Sequence, residues 1–387
     1  MKCNIWKDCP KVPITELLSF IVDNRGKTVP TAPYGHKLIA TNCVTNNTLF
    51  PVYEKVRYLS DETYNTWFRA HPIPGDILFV NKGTPGRVCM VPEPVDFCIA
   101  QDMIALRADD TKIYNKYLFA VLRSREIQQQ IYNTNVGDVI PHFKKQFLDQ
   151  LLIPVPDFST QKDIGDCYYL FSYKIELNNK INENLERQVQ AIYQEWFGDI
   201  NMEKEQGTLS DICTYSKDRV AVSELNLNTY FSTENMLPGK AGAIEAAGLP
   251  TTTQTTACHV GDTLISNIRP YFKKIGYCHE DCGCSTDVLC FVPAQPKYSA
   301  YIYSTLYADK FFDFMVAGSK GTKMPRGDKQ QIMSYPIILP SNEKLEAFNS
   351  LAFPILAQIQ NNRIENKRLS LLRDTLLPKL MSGEIKL

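Results

Sequence analysis

No stretch of 18 apolar residues occurs in this 387-residue chain, and Met1-Lys2-Cys3-Asn4-Ile5-Trp6 lacks the apolar run of a secretion signal. A membrane span needs about 20 apolar residues, so no membrane partner is expected and the chain is placed in the cytoplasm. Net charge is missing too, since 42 Lys and Arg stand against 42 Asp and Glu. A neutral chain cannot coat nucleic acid by bulk electrostatics; such contacts must come from local patches. Proline is never followed by proline, so the Asn/Asp-Pro-Pro-aromatic motif of amino-methyltransferases is absent. Gly26-Lys27-Thr28 imitates the end of a phosphate-binding loop, but Ile21 stands where its first glycine belongs and Val29-Pro30 follows where a helix should begin.

The twelve cysteines are scattered through a long chain without a leader, which points to reduced thiols rather than disulfides. Cys278, Cys282, Cys284 and Cys290, with His259 and His279 nearby, lack the paired Cys-x2-Cys knuckles of a zinc site. They are expected to pack as small hydrophobes, with no metal. No catalytic residue can be singled out among five histidines and 42 acids.

What the chain does contain is one long internal repeat. Pro74-Gly75-Asp76-Ile77-Leu78-Phe79-Val80-Asn81 returns as Val260-Gly261-Asp262-Thr263-Leu264-Ile265-Ser266-Asn267, an offset of 186, and both alternate like strands. Tyr117-Leu118 and Leu122 return as Tyr301-Ile302 and Leu306 at offset 184, on amphipathic helical stretches of about 112–132 and 297–316. A loop follows each, with Pro141 and Pro325 in register, and then strands ending in Ile153-Pro154 and Leu339-Pro340.

Beyond those prolines, Ile164, Tyr168, Phe171, Ile175, Asn178, Asn182, Leu185, Val189, Ile192 and Trp196 fall at alternating spacings of four and three. This is the seam of a paired helix. Adding 184 gives Phe348, Ala352, Ile355, Ile359, Asn362, Asn366, Leu369, Arg373, Leu376 and Leu380, so both asparagine layers recur and only Arg373 is foreign to a seam. The asparagines sit at the centre of each set, which predicts antiparallel pairing of Asn178 with Asn366 and Asn182 with Asn362, fixing register and satisfying buried amides. Pro354 is expected to kink or break the second helix, and Pro378 to end or bend it.

Two loops recur in basic form. Residues 269–274 hold Arg269, Lys273 and Lys274 without an acid, and residues 320–329 hold Lys320, Lys323, Arg326 and Lys329 against Asp328 alone. The loop after the Gly-Asp strand offers Asn81, Lys82, Thr84 and Arg87 in the first half, and Asn267, Arg269, Tyr271, Lys273 and Lys274 in the second, with Arg87 aligned to Lys273 at offset 186. The loop around the matched prolines offers Asn135, His142, Lys144 and Lys145, then Lys320, Thr322, Lys323 and Arg326. Basic residues at repeat-equivalent places are read as DNA contacts, with phosphate contacts supplying affinity and base edges supplying sequence.

These features resemble the specificity subunits of Type I restriction-modification enzymes. The resemblance is carried by Leu371-Leu372-Arg373-Asp374-Thr375-Leu376-Leu377-Pro378-Lys379-Leu380-Met381-Ser382-Gly383-Glu384-Ile385, by Lys174 to Leu185 running on to Glu195-Trp196-Phe197, and by Arg25-Gly26-Lys27-Thr28-Val29-Pro30. It implies an α+β chain with two similar α/β target recognition domains, 1–157 and 201–341. They are separated by two long helices, 158–200 and 342–387, that form an antiparallel coiled-coil-like spacer with pseudo-two-fold internal repeat. It also implies binding to an asymmetric, interrupted sequence in double-stranded DNA. The implied partners are two modification (methyltransferase) subunits using S-adenosylmethionine and restriction (translocase/endonuclease) subunits using ATP and magnesium, with no cofactor or catalysis in this chain. The alternatives are an orphan sequence-specific DNA-binding protein, a helical scaffold without restriction partners, or a nuclease or methyltransferase carrying its own recognition domains.

Overall fold

The computed structural model describes residues 4–24, 26, 28–134, 140–198 and 206–385. It divides into two units, Met1–Asn179 with Arg363–Leu387, and Lys180–Asn362.

The first unit is built on a four-stranded antiparallel sheet in the order Leu18–Val22, Met103–Ala108, Ile77–Val80, Val88–Met90. The Gly-Asp strand Ile77–Val80 is central and buried at every residue, which suits a β-branched and aromatic run covered on both faces. One face packs against the helices Asn115–Leu122 and Arg125–Asn133 in a core that also takes in Ile164, Tyr168, Leu377, Leu380 and Met381. The second unit repeats the order with Cys213–Tyr215, Val288–Pro293, Thr263–Ser266 and Ile275–Tyr277. Its helices are Ser299–Tyr307 and Asp309–Ala317.

The single helices expected over 112–132 and 297–316 are in fact helix pairs. Each breaks at a repeat-equivalent residue, Ser124 and Ala308, both with extended backbone (ψ 151° and 142°). Ser124 caps its helix by accepting from Ile127 N, an orphan donor that a serine oxygen satisfies. After them, Tyr117 Oη donates to Pro154 O at 2.7 Å and Tyr301 Oη to Ile338 O at 2.6 Å. These bonds align Leu152–Pro154 with Pro336–Ile338 at offset 184, two residues from the alignment of Pro154 with Pro340 that the apolar runs suggested.

The two long helices are Phe158–Phe197 and Asn342–Met381, 40 residues each and offset by 184 at both ends. None of the seam positions is exposed in either helix. The second helix runs unbroken through Pro354 and past Pro378. Both prolines lie on its solvent face, where water can take up the carbonyls that lose a donor. In the first unit Asn178 Nδ2 donates to Asn366 Oδ1 at 2.9 Å and to Glu365 Oε2 at 2.7 Å. In the second, Asn362 Nδ2 donates to Asn182 Oδ1 at 2.8 Å and Asn182 Nδ2 to Ile359 O at 3.4 Å. Within each unit the segments therefore run antiparallel. Arg373, the residue foreign to the seam, is buried beside Tyr168, its guanidinium carbon 5.5 Å from the ring centre, and donates to Asp374.

No helix among the described residues is long and apolar enough to cross a membrane.

Candidate nucleic-acid interface

In each unit the two loops singled out by the repeat are fastened to one another by main-chain bonds, and the bonds themselves repeat. Gly83 N donates to Pro141 O at 3.0 Å, and Arg269 N to Pro325 O at 2.8 Å. Phe143 N donates to Asn81 O at 2.8 Å, and Gly327 N to Asn267 O at 3.3 Å. Asn81 N donates to Asp102 O at 2.8 Å, and Asn267 N to Asp287 O at 2.8 Å. Lys82 bridges to His142 and Ile268 to Arg326. Each half thus gathers loops some 60 residues apart in the chain into one surface, using bonds that do not depend on side-chain identity.

Asn81 and Asn267, read as contacts, are buried at 1% and 8% exposure. Asn81 Nδ2 donates to Phe143 O at 3.2 Å, so the first asparagine holds the loops together from beneath instead of facing outward. Lys82, Arg87 and Lys144 are exposed and Thr84 is half-buried. Lys145 is exposed but engaged with Asp23 at 3.0 Å, and His142 is half-buried. Asn135 lies outside the described residues, as do Arg25 and Lys27.

In the second half, Lys273 and Lys274 turn inward. Lys273 Nζ lies 2.7 Å from Asp309 Oδ1, a carboxylate shared with Lys240 at 2.9 Å. Hydrogen bonds from Lys273 and then Lys240 hold the Asp309 carboxyl below its usual range. Lys274 Nζ donates to Thr233 O at 2.6 Å, and burial lowers its pKa. The hydrogen bonds Val80 N to Arg87 O and Ser266 N to Lys274 O show that Arg87 corresponds to Lys274, not Lys273. The second loop is one residue longer. Its turn has positive φ at Arg269 and Lys273, both 51°, where the first half has glycine at Gly83 and Gly86. A side chain at such φ costs about 1–2 kcal/mol.

The loop around Pro325 closes on itself through Lys320 N to Arg326 O and Arg326 N to Lys320 O, both 2.9 Å. Lys320 pairs with Asp328 and Arg326 with Asp287, the latter at 2.9 Å. Thr322 and Lys323 sit exposed between them. Phe272 and the acids Asp287 and Asp309 were not foreseen. The aromatic pair inside Arg269-Pro270-Tyr271-Phe272-Lys273-Lys274 was the available signal for Phe272, whereas nothing in the sequence links Lys273 to an acid 36 residues away.

The cysteines Cys258, Cys278, Cys282, Cys284 and Cys290 lie in one buried cluster with Met236, Leu264 and Val288. Among the described residues no group of three or more His, Cys, Asp or Glu is arranged to hold a metal ion.

Residues 27–187 match the model of the Type I restriction modification DNA specificity domain. Beyond that stretch the chain is similar to whole Type I restriction enzyme specificity subunits. The MjaIX specificity subunit of Methanocaldococcus jannaschii is 22% identical over 303 residues, 71% of this chain and 70% of that protein. The HindI specificity subunit of Haemophilus influenzae is 21% identical, with 80% and 86% covered. The fold is that of the Type I restriction-modification S subunit of M. genitalium, with a TM-score of 0.59 at 16% identity over 97% of this chain and 96% of that one.

Proposed function

We propose that this chain is a Type I specificity subunit, which reads an interrupted, two-part sequence in double-stranded DNA, one part with the fastened loop pair of each half, and recruits modification and restriction subunits without catalysis of its own. The duplicated loop fastening carries the reading, because one scaffold used twice presents two chemically different surfaces on the same main-chain frame. Outward cations suited to phosphate are Lys82, Arg87 and Lys144 in the first half and Lys323 in the second. The paired helices serve as the spacer between the two readings, a role that their unbroken 40-residue runs support.

Recruitment is supported by apolar residues on the helices that the seam leaves outside. Leu170, Tyr173 and Leu177 recur at helical spacing with 60%, 38% and 38% exposure, and Leu371 is 70% exposed. Apolar side chains on one helix face suit a helical partner. S-adenosylmethionine, ATP and magnesium belong, in this reading, to the partner subunits, and the complex works in the cytoplasm.

The test is adenine methylation across the genome of a methylation-free host that expresses the cognate modification subunit with or without this chain. A two-part interrupted motif methylated only in its presence is expected. Methylation by this chain alone, or an unchanged pattern when it is added, would defeat the proposal.

A further inference from the structure

We propose that Tyr271 and Phe272 stack against bases at one step of the second half-site, so that the second half reads its sequence partly through a local unstacking that the first half does not impose. This rests on the DNA-reading function above and adds a device to one half of it.

The turn that carries the two rings is fastened on every side. Its main chain is held by Arg269 N to Pro325 O, Gly239 N to Phe272 O and Lys240 N to Lys273 O, at 2.8–2.9 Å. Its lysines are used up internally, Lys273 on Asp309 and Lys274 on Thr233 O. What the turn presents outward is the ring pair, Tyr271 at 49% and Phe272 at 38% exposure, with centroids 4.8 Å apart. Two adjacent rings are thus kept in water on a rigid support, against the ordinary preference of such surface for burial.

Rigidity is what a wedge requires, since prising apart a base step pushes back on whatever is inserted. The surroundings favour DNA as the occupant. Arg269 flanks the rings, and exposed Lys323 lies on the neighbouring loop to which Arg269 N is bonded. The nearby acids Asp287 and Asp328 are already paired with Arg326 and Lys320. Cations on the turn and on its neighbouring loop, beside apolar rings, suit phosphates flanking a base stack, and aromatic rings accept any base face. The first half has Thr84-Pro85 in place of Pro270-Tyr271-Phe272 and carries no ring there. Its glycines also relieve the backbone of the positive φ that Arg269 and Lys273 adopt. Pyrimidine–purine steps unstack at lowest cost, so the second half-site should contain one at the contacted position.

The experiment uses the full chain with its modification subunit and duplexes of the methylated motif, with 2-aminopurine placed singly along both half-sites at every position except the methylated adenines, which the modification subunit would itself flip out of the stack. Binding of the unaltered protein should raise fluorescence several-fold at one position of the second half-site and at none of the first. The double substitution Tyr271→Ala with Phe272→Ala should abolish the rise and weaken binding by roughly tenfold or more, with the unfolding midpoint unchanged. Tyr271→Phe should keep both, because the ring and not the hydroxyl acts. Sequence-specific binding without any fluorescence rise overturns the inference, as does a rise that survives the double substitution. Loss of co-purification with the modification subunit in the double variant also overturns it, by making the rings a protein contact. Failure of the unaltered chain to direct methylation to any two-part motif removes the DNA-reading function itself, a different result from these.

Discussion

Replacing Asn362 by leucine tests how the helix pair is held. In the second unit Asn182 Oδ1 accepts from Asn362 Nδ2 at 2.8 Å, and the remaining bond of Asn182, to Ile359 O, is long at 3.4 Å. Both asparagines are buried at 6% exposure. N362L therefore strands a buried amide oxygen, at a cost of about 1–3 kcal/mol. N182L strands the other amide for a similar loss. The double variant N182L/N362L removes both buried amides, leaves only the exposed Gln358, which donates to Asn362 at 2.8 Å, to turn to water, and adds two apolar groups to the seam, so it should be at least as stable as either single variant, and close to the original. The pairwise coupling is then about 2 kcal/mol or more and opposite in sign to the single effects. At roughly 2–4 °C per kcal/mol for a unit of this size, each single variant should lower the unfolding midpoint of the second unit by roughly 2–12 °C, and the double should recover most of it. Calorimetry or urea unfolding reads this directly. A double variant whose loss equals the sum of the singles would refute the reasoning, because the two amides would then contribute separately and not through each other.

Three further outcomes are expected. R107A removes the two-point contact with Asp76, 2.9 and 3.0 Å, and leaves a carboxylate whose side chain is 1% exposed without its cation, so the first unit should lose about 3–5 kcal/mol, with partial recovery by D76N measured by denaturant unfolding. G165A places a methyl 2.5 Å from Tyr117 N and 2.9 Å from Lys116 C, both backbone; the helices must part, and destabilisation of about 1–3 kcal/mol should outweigh the helix preference of alanine, so a raised midpoint would contradict the close approach. Asp262 is buried, and that burial raises its carboxyl pKa against the smaller opposing pull of the His259 N–H and of Cys290. A raised folded pKa contributes stability that is full below the unfolded value of about 4 and is lost as pH rises through the folded value. D262N, which retains an oxygen for the His259 N–H, lacks that dependence, and its stability relative to the original chain should grow as pH climbs from 4; a difference independent of pH would count against a buried charge there.

Most of the frame was legible because it is periodic. The seam spacing of four and three foreshadowed helices whose ends prove to be offset by 184 residues, and the central asparagines foreshadowed their own pairing. Local rules failed where exposure decides. Pro354 breaks a helix only if the carbonyl it deprives has no other partner, and on the solvent face water serves. Equivalence at the loops was misjudged by one residue, because an insertion in a turn leaves no periodic trace; only the bonds Val80 N to Arg87 O and Ser266 N to Lys274 O locate it. The direction of Lys273 and Lys274 was invisible for a different reason. Their partners, Asp309 and Thr233, are 36 and 41 residues away along the chain, and no pattern in a basic run says which cations are free.

The two halves differ in the sheet beside the loops, and the difference bears on how, under the proposed function, one plan would read two sequences. In the first unit the parallel strands His36–Ile39 and Phe97–Ile99 are extended by Arg57–Leu59 on the His36–Ile39 side. In the second the corresponding parallel pair, Tyr230–Phe231 and Cys282–Cys284, is extended on the other side, by Gln254–Cys258 and then Arg219–Ala221. The four-stranded sheet and the loop fastening are common to both. What is shared is therefore the part made of main-chain bonds and buried apolar contacts, which tolerates substitution at outward positions. What varies is the added strands and the side chains on the fastened loops, where base-edge contacts would have to change with the sequence read. Exchange of the outward residues of one half should then alter that half's specificity while leaving its stability within about 0.5 kcal/mol, the usual range for surface substitutions, whereas exchange of Asn81 or Asn267 should disturb both.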